Sequence, residues 1–301
     1  MLSIISGSVL LGLQYALLAL GVYITFRVLN IPDLTVDGSF TFGIAISSVL
    51  CYNGHPFLGI ALALLAGLLA GFVTGLLQTK AGIHPILAGI LTMSGLYTVN
   101  ITVMGAPNVS LIGKTRFYDF FADFMSGASK DVPKIILIAF ICAVIVILLI
   151  LFFKTVLGLC IRATGNNEDM VRASSINTKL TTIIALALSN GLVALSGALI
   201  TQTQGYADVN AGSGMIVVGL ASVIIGEVIF GKRSINIGLI SAVVGSVLYR
   251  LIVAFALESN VFSANALKLL SAVIVAVTLS IPAIKKAISN RKLKKEGLRN
   301  A

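Results

Sequence analysis

Charged side chains are scarce in this chain. Aspartate, glutamate, lysine and arginine make up 11% of its 301 residues, and 57% are hydrophobic. A soluble domain carries about 25% charged residues. So few charges cannot clothe a globule of this size in water, which excludes a soluble fold and leaves a polytopic membrane protein. Cysteine is sparse too: Cys51, Cys142 and Cys160 stand apart with no paired spacing. Neither a disulfide framework nor a zinc site is expected, and the three read as packing residues. His55 and His84 are the only histidines, and neither has a carboxylate or cysteine at ligand spacing. HExxH, GxSxG and the phosphate-binding GxxxxGK[ST] are all missing, so the chain is not expected to hydrolyse ATP alone. No catalytic residue and no metal site is assigned.

Acidic residues number 11 against 21 lysines and arginines, a formal charge of +10. In a soluble protein that excess suggests nucleic acid. Here the basic residues gather in short loops and the C-terminal tail, where orientation rules and anionic lipid headgroups account for them. Nucleic acid is not an expected partner.

Long apolar runs are what the chain has in plenty. A bilayer core needs about 20 apolar residues per helix. Nine segments fit: Ile4 to Phe26, Leu34 to Cys51, Phe57 to Thr79, His84-Pro85 to Met104, Lys134 to Phe153, Leu180 to Ile200, Gly212 to Phe230, Ile235 to Leu257 and Ala264 to Ile281. The expected fold is all-α, with about nine transmembrane or re-entrant helices in a single domain over residues 1–301. The first run has no basic residue ahead of it and reads as a retained helix rather than a cleaved signal.

Basic residues set the orientation. Arg27, Lys80, Lys154, Arg162, Arg172, Lys179, Lys232, Arg233 and a tail over 283–301 rich in lysine and arginine fall on one side. Lys114, Arg116, Lys130, Lys134 and Lys268 fall on the other. The expectation is a cytoplasmic C-terminus, an outside N-terminus, an outer loop over 105–133 and a cytoplasmic stretch over 155–179. A re-entrant second or seventh segment would change this parity. In the outer loop Phe117, Tyr118, Phe120, Phe121 and Phe124 alternate with Asp119 and Asp123. That pattern suggests a short amphipathic helix on the interface, acting as a plug or lid, or as a contact for a soluble partner.

Segment two follows Asn30-Ile31-Pro32-Asp33 and carries Asp37, Gly38 and Ser39; segment seven follows Asp208, Asn210, Gly212 and Gly214 and carries Gly219, Gly226 and Glu227. Polar, interrupted segments at matching positions of two halves point to a transport pathway. Ionisable groups in membrane segments are costly and become candidates by default. Asp33 reads as an interfacial helix cap. Asp37 could line a water-filled path. Glu227 could bond Lys232 and Arg233. Arg250 could snorkel or pair with a carboxylate such as Asp37. With Ser39, Asn100, Asn190, Gln202 and Gln204, the residues Asp37, Glu227 and Arg250 form the candidate pathway set. Gly67, Gly71 and Gly75 form overlapping GxxxG pairs, which imply close helix packing.

Between segments five and six lies a polar run, Arg162 to Lys179, followed at once by a long apolar helix. Asn166 or Asn167 can cap a helix there, with Glu168 and Asp169 in its first turn and Arg172 on its polar surface. The same stretch carries a resemblance. Gly12 to Gly43, Ile161 to Leu180 and Ser189 to Gly231 resemble ABC-importer permeases of the branched-chain amino-acid and ribose permease superfamily. Arg162, Ala163, Gly165 and Asn166/Asn167 match its cytoplasmic motif, whereas Ser174-Ser175-Ile176-Asn177 replaces the usual ending. The run Asn30 to Ser39 is similar to the branch found with tryptophan- or tyrosine-type binding proteins.

The resemblance implies a dimer of membrane subunits, identical or paired with a close relative. It implies two cytoplasmic ATPase subunits that use the ATP, a solute-binding protein outside, and no cofactor on this chain. Its coupling helix falls at about 166–177, with Arg162, Gly165, Asn166, Asn167, Glu168, Asp169 and Arg172 as the coupling residues. The setting implied is a bacterial cell membrane and the solute an amino acid. Two other readings stay open: an ion-coupled secondary transporter using Asp37 or Glu227, and an intramembrane enzyme, for which no nucleophile–base pair is visible.

Overall fold

Each apolar run that the computed structural model describes is a helix. The described residues are 2–122, 132–231 and 234–258, with positions 272, 273, 276, 277 and 280 in addition. The expected ninth segment and the tail as continuous elements, Asp123, Phe124, Lys130, Lys232 and Arg233 lie outside them. In chain order the elements are α1 (Leu2–Tyr23) running into a π-helical turn (Ile24–Val28), α2 (Thr35–Tyr52), α3 (Pro56–Thr79), α4 (Pro85–Met104), β1 (Asn108–Ser110) and α5 (Asp119–Ala122). Then come α6 (Val132–Lys154), α7 (Val156–Asn166), α8 (Glu168–Ala173), α9 (Thr178–Gln204), β2 (Tyr206–Asp208), α10 (Met215–Phe230) and α11 (Ile235–Glu258). Among the described residues 7 helices are long and apolar enough to cross a membrane, and α10 is a shorter apolar helix.

The centre is α9. Of its apolar window 83% is buried, against 17% for α6. The chemistry explains the contrast. α6 presents Ile136, Phe140, Ile147, Leu148 and Leu151 outward, as a lipid-facing helix does. α9 instead buries Ser189, Asn190, Ser196, Gly197, Thr201 and Gln202. Small residues let its neighbours close in, since packing and interhelical hydrogen bonds, not water exclusion, hold helices together in lipid. Gly67, Gly71 and Gly75 of α3 lie against Asn190, Leu186 and Ile183, with no room for a Cβ at any of them. Gly43 of α2 abuts Ala194, and Gly197 abuts Phe40. Hydroxyls complete the seams: Ser189 donates to the Gly21 carbonyl at 2.7 Å and Ser196 to the Gln14 carbonyl at 2.8 Å.

The helices form two faces. Arg27 at the end of α1 pairs with Glu227 near the end of α10, and both share a cavity with Arg162 and Asn166 of α7. At the other face β1 and β2 pair antiparallel, Asn108 opposite Asp208. Segment two does not return to the face it came from. It leaves the Arg27 face as irregular chain over 29–34, becomes α2 beside Asn190 in the middle of α9, and ends where the Cys51 thiol lies 3.5 Å from the Thr115 carbonyl. Segment seven mirrors it, descending from β2 to start α10 beside Thr41 and finishing at Arg27. The alternation of faces is therefore kept.

The hint of duplication has a structural counterpart. α1 packs on α11, where Gly12 faces Val247, and α9 packs on α3. In each half the second helix leans on the third, Ser47 on Gly59 and Ser222 on Gly245. α1–α2–α3 and α9–α10–α11 thus repeat one arrangement in opposite directions.

Within the expected outer loop over 105–133, residues 105–122 and 132–133 are described. Its helix, α5, is described over Asp119–Ala122, and the end of the expected amphipathic stretch, with Asp123 and Phe124, lies outside the described residues. Phe117 and Tyr118 are buried rather than laid on the interface. Phe57 meets Phe117 and Phe120 with ring centroids 5.1 and 5.2 Å apart, and the Tyr118 hydroxyl accepts from Gln14 Nε2 at 2.9 Å.

Candidate functional site

Two carboxylates sit where the broken segments begin. Asp33 precedes α2. Its Oδ1 accepts the Thr35 N–H at 2.9 Å and its Oδ2 accepts Asn190 Nδ2 at 2.7 Å. It does lead into a helix, as read from sequence, but it is 3% exposed and lies beside the middle of α9 rather than at the interface. Asp37, one turn on, reaches across to α10. Its Oδ2 accepts the Gly214 N–H and its Oδ1 the Ile216 N–H, each at 2.8 Å. Free N–H groups at a helix start, together with the helix dipole, favour a carboxylate there. A side chain of α2 therefore caps α10.

Two cavities flank this junction. One, of about 400 Å³, is lined by Asp37, Thr41, Ser94, Tyr97 and Asn100. The other, of about 650 Å³, lies towards α1 and α11 and is lined by Tyr15, Gln204, Asp208, Tyr249 and Arg250 among others. Both share Asn210 and Ser213, so the 209–214 turn is the partition between them. Gly212 N–H donates to the Thr41 hydroxyl at 3.1 Å, which ties the partition to α2.

The pathway candidates divide. Asp37 and Asn100 line the first cavity, Gln204 and Arg250 the second. Asn100 Nδ2 donates to the Gly38 carbonyl at 3.3 Å. Arg250 lies over the Tyr15 ring, 3.9 Å from its centroid. The suggested Asp37–Arg250 pair is absent from the described ion pairs, because Asp37 is committed to α10. Asn190 holds Asp33 and the Leu186 carbonyl. Gln202 pins the ribbon-face loop: its Oε1 accepts the Phe117 N–H, and its Nε2 donates to the Ser47 hydroxyl and the Pro56 carbonyl, at 2.9 to 3.0 Å. Ser39 is buried in α2. Glu227 pairs with Arg27 on the other face. Among the described residues no group of 3 or more His, Cys, Asp or Glu gathers as a metal site requires.

The polar run between α7 and α9 forms α8. Asn167 caps it, accepting the Met170 N–H at 3.0 Å, and Asn177 caps α9 in the same way through Leu180 N–H at 3.1 Å. Glu168 bonds Arg172 one turn on and also accepts from the Thr178 hydroxyl. Glu168, Asp169, Met170 and Arg172 are exposed, whereas Val171 is buried. Gly165 touches the end of α1 so closely that a Cβ there would run into the Val28 carbonyl. Arg162 and Asn166 line a cavity of about 280 Å³ with Arg27 and Glu227. α7, which runs into α8 through Asn167, is thus in direct contact with the last turn of α1.

Sequence reasoning missed Gln14, which is fully buried and bonds Tyr118 and Thr203. The signal was available, since an amide inside an apolar helix needs a partner. It also missed Arg27 as the partner of Glu227, because residues 200 positions apart carry no pairing signal without a fold.

Helices that cross by an inverted pair of broken segments, with cavities at their meeting point, define a membrane-embedded transport protein. The chain belongs to the family of branched-chain amino acid transport system permease components, which it matches over residues 4–281, and is thus an ABC-type permease. It is 37% identical over 270 residues to a tyrosine transport system permease protein of Clostridioides difficile (strain R20291), covering 89% of this chain and 88% of the relative. An uncharacterised protein of Rickettsia prowazekii (strain Madrid E) is 37% identical over 71% of this chain and 73% of its own. The ribose import permease protein of Escherichia coli (strain K12) is 28% identical over 70% of this chain and 65% of its own. No solved structure matches the chain.

Proposed function

We propose that this chain is the membrane subunit of an ATP-driven importer in a bacterial cell membrane, moving an amino acid inward by alternating access. It works as a dimer, with two cytoplasmic ATPase subunits on the α7–α8 face and a solute-binding protein on the ribbon face. The C-terminus is cytoplasmic and the N-terminus outside. The observation that carries this reading is α8. It is an exposed polar helix, capped at Asn167 and continuous with α7, whose Gly165 sits against the end of α1. A push on α8 reaches Arg27, Glu227 and hence α10 without passing through a flexible linker. The α10 start is in turn tethered to α2 by Asp37, so displacing α10 alters the partition between the two cavities. The name of the tyrosine permease relative supports an amino acid as solute.

The test is reconstitution. The chain is placed in liposomes with candidate ATPase and solute-binding partners, and uptake of labelled L-amino acids is measured. Uptake that needs both ATP and the binding protein is the expected result. Arg172→Glu should keep ATP hydrolysis and lower uptake by about tenfold or more, since it reverses charge on the contact helix. A second reading, ion-coupled transport, is favoured by Asp37 lining a cavity. Uptake by the chain alone, driven by a proton or sodium gradient, would establish it and overturn the first.

A further inference from the structure

Arg250 sits within a membrane-spanning helix and, among the described residues, has no counter-ion. Ionisable groups at such positions are expensive to keep and mark pathways. Among the described residues no carboxylate forms an ion pair with it; the pairs are Arg27–Glu227, Arg116–Asp119 and Arg172–Glu168. Its Nε is buried, with no hydrogen-bond partner among the described residues. The guanidinium carbon lies over the Tyr15 ring, 3.9 Å from its centroid, a cation–π contact that holds the group against one wall of the cavity. It lines the cavity of about 650 Å³, where it is the one cation in the described lining. Phe40 and Tyr249 supply apolar wall, and Asp208 supplies a carboxylate whose Oδ1 accepts only the Asn210 N–H among the described residues.

We infer that this cavity binds the solute through its carboxylate, which Arg250 receives, with the aromatic wall taking an apolar side chain and Asp208 facing the ammonium group. Arginine presents paired N–H donors in the geometry of a carboxylate, so the recognition has two points rather than one. A neutral sugar offers this site nothing that the unpaired guanidinium needs. The inference rests on the amino-acid reading above and narrows it to solutes with a free carboxylate and an apolar or aromatic side chain.

Binding is measured calorimetrically on the full chain in lipid nanodiscs. The probes are L-phenylalanine, 3-phenylpropanoate (carboxylate without amine), phenethylamine (amine without carboxylate) and D-ribose. Phenylalanine and phenylpropanoate are expected to bind, with phenethylamine weaker by about tenfold, the scale of one charge-assisted hydrogen-bonded pair. Arg250→Gln should abolish that preference. Arg250→Lys, which keeps the charge and loses the fork, should retain part of it and guards against a Gln variant that fails to fold. Equal binding of phenylpropanoate to wild type and both variants would overturn the inference, as would no binding of any probe. Uptake by the assembled transporter separates this from the parent reading. If it carries ribose and not phenylalanine, the amino-acid reading falls. If it carries phenylalanine and Arg250→Gln leaves KM unchanged, that reading stands and the carboxylate site falls.

Discussion

The two broken crossings use one device to different ends. Each begins with irregular chain containing a left-handed residue, Asn30 (φ 57°) in the first and Gly214 (φ 85°) in the second. Each starts its helix against a carboxylate. In the first, Asp33 is sealed and gives both oxygens to Thr35 and Asn190. In the second, Asp37 belongs to the other half and lines a cavity. One contact therefore anchors α2 to α9 from within. The other tethers α10 to α2 through a group that lines a cavity. The difference assigns rigidity to the first crossing and movement to the second.

The largest expected effect tests the close fit behind this contrast. A Cβ at Gly212 would overlap the Asp37 carbonyl and the Thr41 hydroxyl, and a backbone atom cannot swing away. Gly212→Val should cost about 3 kcal/mol, the upper range for overpacking, read as a fall in thermal midpoint and in folded yield. Gly214→Ala has open space around it and a φ of 85°. It should cost about 1 kcal/mol, the strain of a left-handed alanine. Equal costs at the two positions would mean that the turn is not wedged against α2.

A smaller pair of effects separates the two carboxylates. Asp33→Ala strands the Thr35 N–H and the Asn190 amide in a buried place, a loss of about 2 to 3 kcal/mol. Asp37→Ala removes a cap, at about 1 kcal/mol. Uptake should rank the other way: Asp37→Ala is expected to lose transport at near-normal folded yield, while whatever Asp33→Ala folds should still transport. Thermal midpoints and uptake per folded transporter give both readings. If Asp33→Ala and Asp37→Ala scaled identically in both, the division between anchor and tether would be wrong.

The ion pair on the α8 face comes next. Glu227→Gln should destabilise by about 1 to 2 kcal/mol, because a partly buried charge pair is worth more than a surface one. Arg27→Gln added to it should cost little more, since both changes remove the same interaction. A double-mutant cycle on thermal unfolding checks this. Additive losses would show that Arg27 and Glu227 act separately, and the path from α8 to α10 would lose its middle link.

Much of this architecture was legible in the residues. The helices follow apolar run length, which is a local property. The cap at Asn167 follows from an asparagine set before two acidic residues. The glycines of α3 announce a close neighbour by their spacing. What could not be read was depth. Asp33 looks like an interfacial cap because nothing local reveals that the chain from Leu29 turns back beside the middle of α9. The aromatic loop looked amphipathic because its alternation is real, yet Phe117 and Tyr118 turn inward to meet Phe57 and Gln14. Pairings such as Gly214 with Asp37, 177 residues apart, depend on the inverted halves facing each other. Apart from Gln14, the carrying residues were in view, and their partners were not.

Tyr118 gives the smallest effect and tests the ribbon face, which should be as static as the Asp33 anchor. Its hydroxyl accepts from Gln14 Nε2 and reaches the Leu199 carbonyl at 3.3 Å. Tyr118→Phe should cost about 1 kcal/mol near neutral pH, the worth of one buried hydrogen bond. Burial pushes the Tyr118 hydroxyl above its ordinary value of 10.0, and hydrogen bonds with Thr203 and Gln14 pull only partly against that. The sign follows. A raised folded value means that the neutral phenol's contribution is complete below pH 10.0 and is lost as pH climbs towards the folded value. The stability gap between wild type and Tyr118→Phe should therefore be flat from neutral pH to about pH 9 and narrow above pH 10. A gap that stayed flat through pH 10 and above would mean that the folded phenol titrates as it does in water, and the ribbon face would then be the moving part rather than the fixed one.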